Sequence, residues 1–171
     1  MKICKLLLAP VLTWALLSPV AAKEPGNAPN QVKTVETVRL SLDKAIELAR
    51  AAIDACRKKG IQVGVTVVDR NGLVQVTLRD TLAAPLTLKI SKMKAYTTAN
   101  FNVPTSALTR QANSSLANVE GLMMNPGGIP IHVGGKLLGA VAVSGAPSGK
   151  TDEECAKAGV QKLVGELEMD L

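Results

Sequence analysis

Hydrophobic residues recur at helical spacing in three parts of the chain. In the first, residues 42–60, apolar side chains return every three or four positions and charged side chains fall largely on the other side. This pattern predicts an amphipathic helix that Ser41 caps and Gly60 ends. Residues 86–101 are predicted as a second helix. A third is predicted over 151–168, where the opening residues have the pattern of a capping box.

The segments between the helices have the composition of β-strands. Five stretches have suitable length and apolar content: 61–68, 73–78, 119–124, 129–133 and 136–144. Asn71-Gly72 and Gly134-Gly135 each join two of them. Such pairs are strong hairpin signals because a tight turn needs residues that adopt positive φ. Since helices and strands are grouped rather than alternating, we predict an α+β domain. It has one antiparallel sheet of about five strands with the helices packed on it.

The first 22 residues differ in character from the rest of the chain. Lys2 and Lys5 precede an apolar core at 6–17, and Val20-Ala21-Ala22 has the small residues of a cleavage site. These are the three parts of a secretory signal peptide, which is predicted over residues 1–22. A membrane anchor is the alternative. However, the apolar run is shorter than the ~20 residues that a spanning helix needs, and prolines interrupt it.

The predicted signal peptide determines where the mature protein is expected to be located and where its folded domain is expected to begin. A flexible polar leader is predicted over residues 23–38, which contain two prolines and a glycine. A single domain is predicted over 39–171, within the usual size of one domain. We expect the mature protein to be periplasmic or secreted, without membrane association once the signal is removed.

The charge and the aromatic content of the chain limit the classes of ligand or macromolecule that it is expected to bind. The formal net charge of +6 falls to +4 when Lys2 and Lys5 leave with the signal. With one Phe, one Tyr and one Trp, the chain lacks the interleaved aromatic and basic residues that bind single-stranded nucleic acid. Nucleic acid is therefore not an expected partner. The spread of positive charge favours haem or another small anionic ligand, through its propionates or other carboxylates.

Several motifs resemble those of one known family. Gly127-Gly128-Ile-Pro130 precedes a turn, the strand Leu138-Gly-Ala-Val-Ala-Val-Ser-Gly145 and the helical segment Asp152-Glu-Glu-Cys-Ala-Lys-Ala-Gly159. The segment Lys94-Ala-Tyr-Thr-Thr-Ala-Asn-Phe101, with Pro104-Thr105 after it, agrees as well. Together these segments resemble the GlcG/HbpS family of small haem-associated proteins. The resemblance covers nearly all of the predicted domain.

This resemblance implies a fold and a function. It implies the profilin-like, three-layer form of the α+β architecture, a homo-oligomer and an association with haem. The interpretation is an exported small protein that binds or senses haem or a related tetrapyrrole. The alternative is an accessory factor or enzyme acting on small organic acids, as in glycolate-type pathways; a structural assembly protein without a ligand is a third. The sequence shows no convincing catalytic constellation, which favours a binding protein over an enzyme.

Two residues could ligate haem iron. His132 is the only histidine, and strand alternation places it on the opposite face from Ile131 and Val133. It is either a surface residue of an edge strand or an axial ligand. Tyr96 is the only tyrosine and lies in the second predicted helix. It is either an amphipathic core residue or a tyrosinate ligand of ferric haem.

The resemblance adds threonines to these candidates. Family members are linked to haem through a threonine-bearing region of this kind, and its counterparts here are Thr97, Thr98 and Thr105. Acidic pairs hold iron in some relatives, but the carboxylates at 152–154 are already explained by their position at a helix N-terminus. We therefore predict no metal site and no catalytic residue.

Cys56 and Cys155 follow the predicted signal and lie 99 positions apart, without the spacing of a zinc site. They are either buried free thiols or a structural disulfide, which an oxidising compartment would favour. The resemblance implies that the first and last helices pack antiparallel on one face of the sheet. That arrangement would bring the two cysteines together.

Two further expectations concern surfaces. Val141 and Val143 share a charge-free strand face, and we expect the helices to leave part of it uncovered for self-association. A domain of this size has little interior volume for a porphyrin, so any haem site should be shallow. Basic residues such as Arg79, Lys92 and Arg110 would then meet the propionates.

Overall fold

The computed structural model of the chain describes residues 37–168. The signal peptide predicted over 1–22 lies outside the described residues, as does the predicted leader up to residue 36. The elements are α1 Leu42–Arg57, β1 Gly64–Asp69, β2 Val74–Arg79, α2 Leu86–Phe101, β3 Gly128–Val133, β4 Lys136–Ser144 and α3 Gly149–Leu167. No helix within 37–168 is long and apolar enough to cross a bilayer.

The helices form where the apolar pattern predicts them. Ser41 caps α1 as expected, because its Oγ accepts from the Lys44 backbone N–H at 3.3 Å. The start of α3 differs from the prediction. Its cap is Ser148, whose Oγ accepts from the Thr151 N–H at 3.1 Å, so the helix begins two residues earlier than the predicted capping box.

The strands form one antiparallel sheet in the order β2-β1-β4-β3. The two predicted hairpins are confirmed as β1–β2 and β3–β4. Gly72, Gly134 and Gly135 have φ values of 82°, 55° and 75°, the left-handed conformation that these turns require. The long connection from α2 to β3 contains three short 3₁₀ helices, Thr105–Leu108, Gln111–Asn113 and Ser115–Asn118.

The expected fifth strand at 119–124 is wrong: the described sheet has four strands. This segment instead turns, with the Leu122 N–H donating to the Val119 carbonyl at 3.2 Å. Gly121 has a φ of 86°, which an extended strand does not use. The Met123 N–H then donates to Thr97 Oγ1 at 2.8 Å. Backbone groups of the segment are thus satisfied by a turn and by a helix side chain rather than by a neighbouring strand.

The helices cover both faces of the sheet, giving three layers. α1 and α3 pack together on one face, and α2 packs across β1 and β4 on the other. Facing pairs such as Val65–Val143 and Val67–Val141 fill the first interface. The second is built from small residues, including Ala95, which let α2 approach the sheet closely. Helix and sheet layers around a common core define an α+β domain, and the profilin-like form stays a prediction.

One expectation about the first interface is wrong. Val141 and Val143 are fully buried, because α1 and α3 together cover the strand face that was expected to be partly open. These valines belong to the core of the domain. They give no support to self-association.

The predicted disulfide is present in the structure. Cys56 in the last turn of α1 bonds to Cys155 in α3, with their Cα atoms 5.4 Å apart, a separation suited to a disulfide. Both side chains are fully buried between the two helices. The bond therefore links the outer helices of one layer, the arrangement that the family resemblance implies.

Candidate functional site

The predicted site residues occupy two different environments. Thr97 and Thr105 are fully buried. Thr97 Oγ1 donates to the Met93 carbonyl and accepts from the Met123 N–H, both at 2.8 Å. Thr105 Oγ1 accepts from the Gly128 N–H at 2.9 Å. These hydroxyls hold loops against α2 and β3, and both are enclosed by the fold.

Tyr96 is accessible, with 37% of its surface exposed. Two glycines lie close to its ring, one at each edge. A Cβ on Gly72 would lie 2.7 Å from Cδ2 of the ring, and a Cβ on Gly121 would lie 3.7 Å from Cδ1. Leu73 and Val119, close in sequence to these glycines, are strongly exposed apolar residues. Tyr96 therefore occupies a shallow, partly apolar surface, which we call the Tyr96 surface: Gly72, Leu73, Tyr96, Val119 and Gly121.

His132 is exposed on β3, an edge strand of the described sheet. Its neighbours Ile131 and Val133 are buried against α1 and α3, so the imidazole projects on the other side, as strand alternation predicts. Thr98 is also fully buried, and its Oγ1 has no hydrogen-bond partner among the described residues. No hydrogen bond among residues 37–168 joins any two of the five predicted residues. The structure thus brings together no ligand set, and it leaves His132 and Tyr96 as the accessible members.

A second site was missed by sequence reasoning. It is a cleft of about 480 Å³ between the starts of α2 and α3 and the segment 123–126, and we call it the Lys94 cleft. Its lining includes Thr87, Ile90, Lys94, Ser144, Gly149 and Asp152. Such a volume is in the range of small-molecule sites.

Lys94 and Asp152 form the charged floor of this cleft. The Lys94 ammonium donates to Asp152 Oδ2 at 2.8 Å and to the Val143 carbonyl at 3.1 Å. Asp152 Oδ1 accepts from the Ala146 N–H at 2.9 Å. Burial raises the pKa of Asp152, and its bonds to Lys94 and Ala146 oppose that shift without cancelling it.

The glycine pair at the start of β3, Gly127-Gly128, makes room for this arrangement. A Cβ on Gly127 would lie 2.6 Å from Lys94 Nζ, and a Cβ on Gly128 would lie 2.2 Å from Thr98 Oγ1. The absence of side chains lets the chain pass directly beside α2. Gly127-Gly128 therefore allows close packing between β3 and α2.

The three acidic residues at the start of α3 have three separate partners. Asp152 pairs with Lys94, while Glu153 accepts from the Ser106 Oγ at 2.6 Å and from the Gly127 N–H at 3.2 Å. Glu154 pairs with Lys59 at 2.6 Å on the surface. Since each carboxylate is directed to a different element, they do not converge on one point. No group of three His, Cys, Asp or Glu side chains within 37–168 could hold a metal ion.

A further cavity of about 390 Å³ lies on the other side of the sheet. Apolar residues such as Leu40 and Leu138 line it, and Arg39, Lys44 and Lys136 stand at its edge. Arg39 bonds to Asp69, and Lys44 bonds to Glu47 and Glu166. Two of the three cationic side chains at the edge of this cavity, Arg39 and Lys44, are thus already paired with carboxylates.

The comparisons with known proteins identify the family. A sequence model of the HbpS-like family, described as haem-degrading protein HbpS-like, matches residues 40–161. No curated protein matches significantly. A double Glu-to-Asp variant of Streptomyces reticuli HbpS is 37% identical, with a TM-score of 0.73, over 85% of this chain and 99% of that one. The chain belongs to the HbpS-like family.

Two other solved structures share the fold. The Klebsiella pneumoniae protein ORFY is 23% identical with a TM-score of 0.70, over 80% of this chain and 97% of that one; at this identity the likeness concerns the fold. A PduOC:heme complex is 25% identical with a TM-score of 0.68, over 72% of this chain and 94% of that one. The GlcG/HbpS resemblance seen in the sequence is confirmed.

Proposed function

We propose that this protein is an exported haem-binding or haem-sensing member of the HbpS-like family. The observation that carries the proposal is the structural match to PduOC, which was solved as a heme complex and aligns over 94% of its length. The HbpS-like family is itself described as haem-degrading. Haem or a related tetrapyrrole is accordingly the ligand class that the relatives support.

The Tyr96 surface is the best candidate for the haem contact in this chain. An axial ligand must reach the iron, and Thr97 and Thr105 are enclosed by the fold. The Tyr96 ring contacts the positions of Gly72 and Gly121, and the exposed residues Leu73 and Val119, close to these glycines in sequence, offer apolar area to a porphyrin face. A tyrosinate is an established ligand of ferric haem, and a shallow surface of this kind agrees with the small interior of the domain.

Basic residues on α2 can meet the propionates. Lys92 precedes Tyr96 by four positions and Lys89 precedes it by seven, so all three lie on one face of the helix. Both lysines are exposed. Arg79 is less free, because its guanidinium donates to carbonyls of Asp80, Thr81 and Ala83. Of Arg79 and Lys92, Lys92 therefore has the more suitable position.

A hemin titration tests this proposal. We expect the mature protein to produce a saturable shift of the Soret band, which Tyr96→Phe weakens strongly because phenylalanine keeps the ring and removes the ligand oxygen. His132→Ala is the matched control at the other accessible candidate, and it should bind as the parent does. Absence of a saturable shift would refute haem binding. Loss of the shift in His132→Ala, but not in Tyr96→Phe, would move the site to β3.

Export and self-association complete the proposed function. Expression in a Gram-negative host should give periplasmic protein whose intact mass is that of a chain beginning at Lys23. Full-length protein in the cytoplasm would contradict export.

A homo-oligomer is supported by the exposed apolar residues Leu73 and Val74 at the start of the edge strand β2. Light scattering should give a multiple of the monomer mass, and a monomer across micromolar concentrations would contradict it.

A further inference from the structure

The Lys94 cleft has hydrogen-bonding capacity that the fold does not use. The Lys94 side chain is 4% exposed, and its ammonium donates two of three protons, to Asp152 and to the Val143 carbonyl. Ser144, at the end of β4, is 5% exposed and lines the same cleft. Its hydroxyl has no hydrogen-bond partner among residues 37–168. The Ser144 hydroxyl and the third proton of the Lys94 ammonium therefore remain available to a ligand in the cleft.

The start of α2 adds one further donor. The residue at its cap position is Pro85, and no side chain caps the helix there. Leu86 and Thr87 of the first turn line the cleft. The Thr87 and Leu88 N–H groups already donate to the Ala84 and Pro85 carbonyls, at 3.0 and 3.2 Å. This end of the helix therefore offers an anion its dipole and the Leu86 N–H. This helix end therefore supports, beside the buried Lys94 and Ser144, a negatively charged partner.

Asp152 does not oppose such a partner as strongly as a free carboxylate would. Its two oxygens accept from Lys94 and from the Ala146 N–H, so the Lys94–Asp152 pair carries no net charge. The groups left for a ligand are then mainly donors. The side of the cleft is apolar, with Leu86, Ile90 and Met123 in its lining, which suits a short carbon skeleton.

We propose that the Lys94 cleft binds a small organic carboxylate. The carboxylate accepts from the Lys94 ammonium, the Ser144 hydroxyl and the Leu86 N–H, and the carbon skeleton lies against Ile90 and Met123. The cleft is distinct from the Tyr96 surface, because two helical positions place Tyr96 about 200° around α2 from Lys94. The two sites can therefore be tested separately.

Calorimetry and NMR chemical-shift mapping on the full mature chain can test the cleft. The probes are acetate, butyrate and lactate, with lactamide as the uncharged match of lactate. We expect at least one acid to bind with a Kd of about 1 mM, since so small a ligand has few atoms to contribute. Shifts should map to residues around Ser144 and Leu86, and lactamide should bind at least about tenfold more weakly than lactate if lactate is bound.

Two variants separate the site from general effects on the fold. Ser144→Ala removes the free hydroxyl with little change in volume and should weaken binding about tenfold. Thr98→Val is the matched control, because Thr98 is a buried α2 residue outside the cleft and should leave binding unchanged. The proposal is overturned if none of the acids binds, if the shifts map elsewhere, or if Ser144→Ala and Thr98→Val bind alike. An unchanged hemin Soret shift in Ser144→Ala would show that the two sites are independent, whereas its loss would contradict their separation.

Discussion

The Lys94 ammonium lies 2.8 Å from Asp152 Oδ2, and both side chains are about 95% buried, with 4% and 5% of their surfaces exposed. These residues belong to helices on opposite faces of the sheet, α2 and α3. Lys94 also donates to the Val143 carbonyl of β4. The pair therefore connects all three layers near the end of β4, and this is the same point at which the Lys94 cleft opens.

Removing one member of this pair should be strongly destabilising. Lys94→Met leaves the Asp152 carboxylate buried without its cation, and we expect a loss of about 3–5 kcal/mol in the free energy of unfolding. Replacing both, as Lys94→Met with Asp152→Leu, should recover much of that loss because no charge then remains buried. Urea unfolding of the two single variants and the double variant gives the coupling energy.

The exposed pair Lys59–Glu154 provides a control for this measurement. Its atoms are 2.6 Å apart, but 44% and 49% of its side-chain surfaces are exposed, and solvent weakens such pairs. Lys59→Met should therefore change stability little. Equal effects of Lys94→Met and Lys59→Met would show that burial does not distinguish the two pairs.

A second ion pair should control stability in acid. Asp80 accepts from Arg57 Nε and Nη2, each at 2.8 Å, and these bonds lower the pKa of Asp80 from its ordinary value of 3.8. Because the folded pKa is lowered, this contribution to stability is present above pH 3.8 and is lost as pH falls through the folded value. Asp80→Asn should lower stability at neutral pH and make the decline below about pH 4 less steep.

Urea midpoints measured from neutral pH into this acid range would check the prediction. Asp54→Asn is the matched control, because Asp54 also contacts Arg57, at 3.3 Å, but is about half exposed. Its profile should follow that of the parent. A parallel displacement of the Asp80→Asn curve, without any change of slope in acid, would contradict the assignment.

Local patterns were sufficient for the helices and hairpins but not for the number of strands. Amphipathic spacing and turn glycines act over a few neighbouring residues, so α1 and the turn at Gly134-Gly135 could be predicted. The segment 119–124 has strand composition, yet its Met123 N–H is satisfied by Thr97, 26 positions earlier. That interaction depends on how α2 packs, and the sequence around the segment contains no sign of it.

Prediction of the candidate sites from the sequence was limited in the same way, because contacts between distant parts of the chain decide which residues are accessible. The accessible Tyr96 and His132 could be selected because each is the only residue of its type. Lys94 could not be selected as easily, because a helical lysine normally faces solvent. The sequence did contain one indication that Lys94 is buried. It lies at helical spacing from Ser91 and Thr98, which are buried on the side of α2 that faces the sheet. Only the fold shows that Asp152, 58 positions later, neutralises it.

The Cys56–Cys155 disulfide should contribute strongly to stability. It closes a loop of 99 residues, for which the chain-entropy model gives at most about 4–5 kcal/mol. The third cysteine of the chain, Cys4, lies in the predicted signal peptide and is removed to leave this pair alone. In a Cys4→Ser background, Cys56→Ala with Cys155→Ala should lower the free energy of unfolding by up to this amount. Reductant should destabilise the Cys4→Ser parent and leave the double-alanine variant unchanged. Two titratable thiols in the unfolded, unreduced parent would show that the bond is not formed.

Gly128 and Gly165 should respond in opposite directions to the same substitution. A Cβ on Gly128 would lie 2.2 Å from Thr98 Oγ1 and 3.0 Å from the Lys94 carbonyl oxygen, so Gly128→Ala must displace α2 from β3. We expect a loss of about 1–3 kcal/mol, typical of overpacking. Gly165 lies within α3 with no atom within 4 Å of its added Cβ, so Gly165→Ala should stabilise by about 0.5–1 kcal/mol.

Urea unfolding distinguishes packing at Gly128 from a general cost of side-chain addition. Thr98→Ala removes the hydroxyl that the new methyl group would meet, so Gly128→Ala should be less harmful in that background than in the parent. The relief should be partial, because the Lys94 carbonyl oxygen remains close. Equal losses in the two backgrounds would show that Thr98 does not restrict the site. A destabilised Gly165→Ala would show that open space in α3 is a poor guide to tolerance.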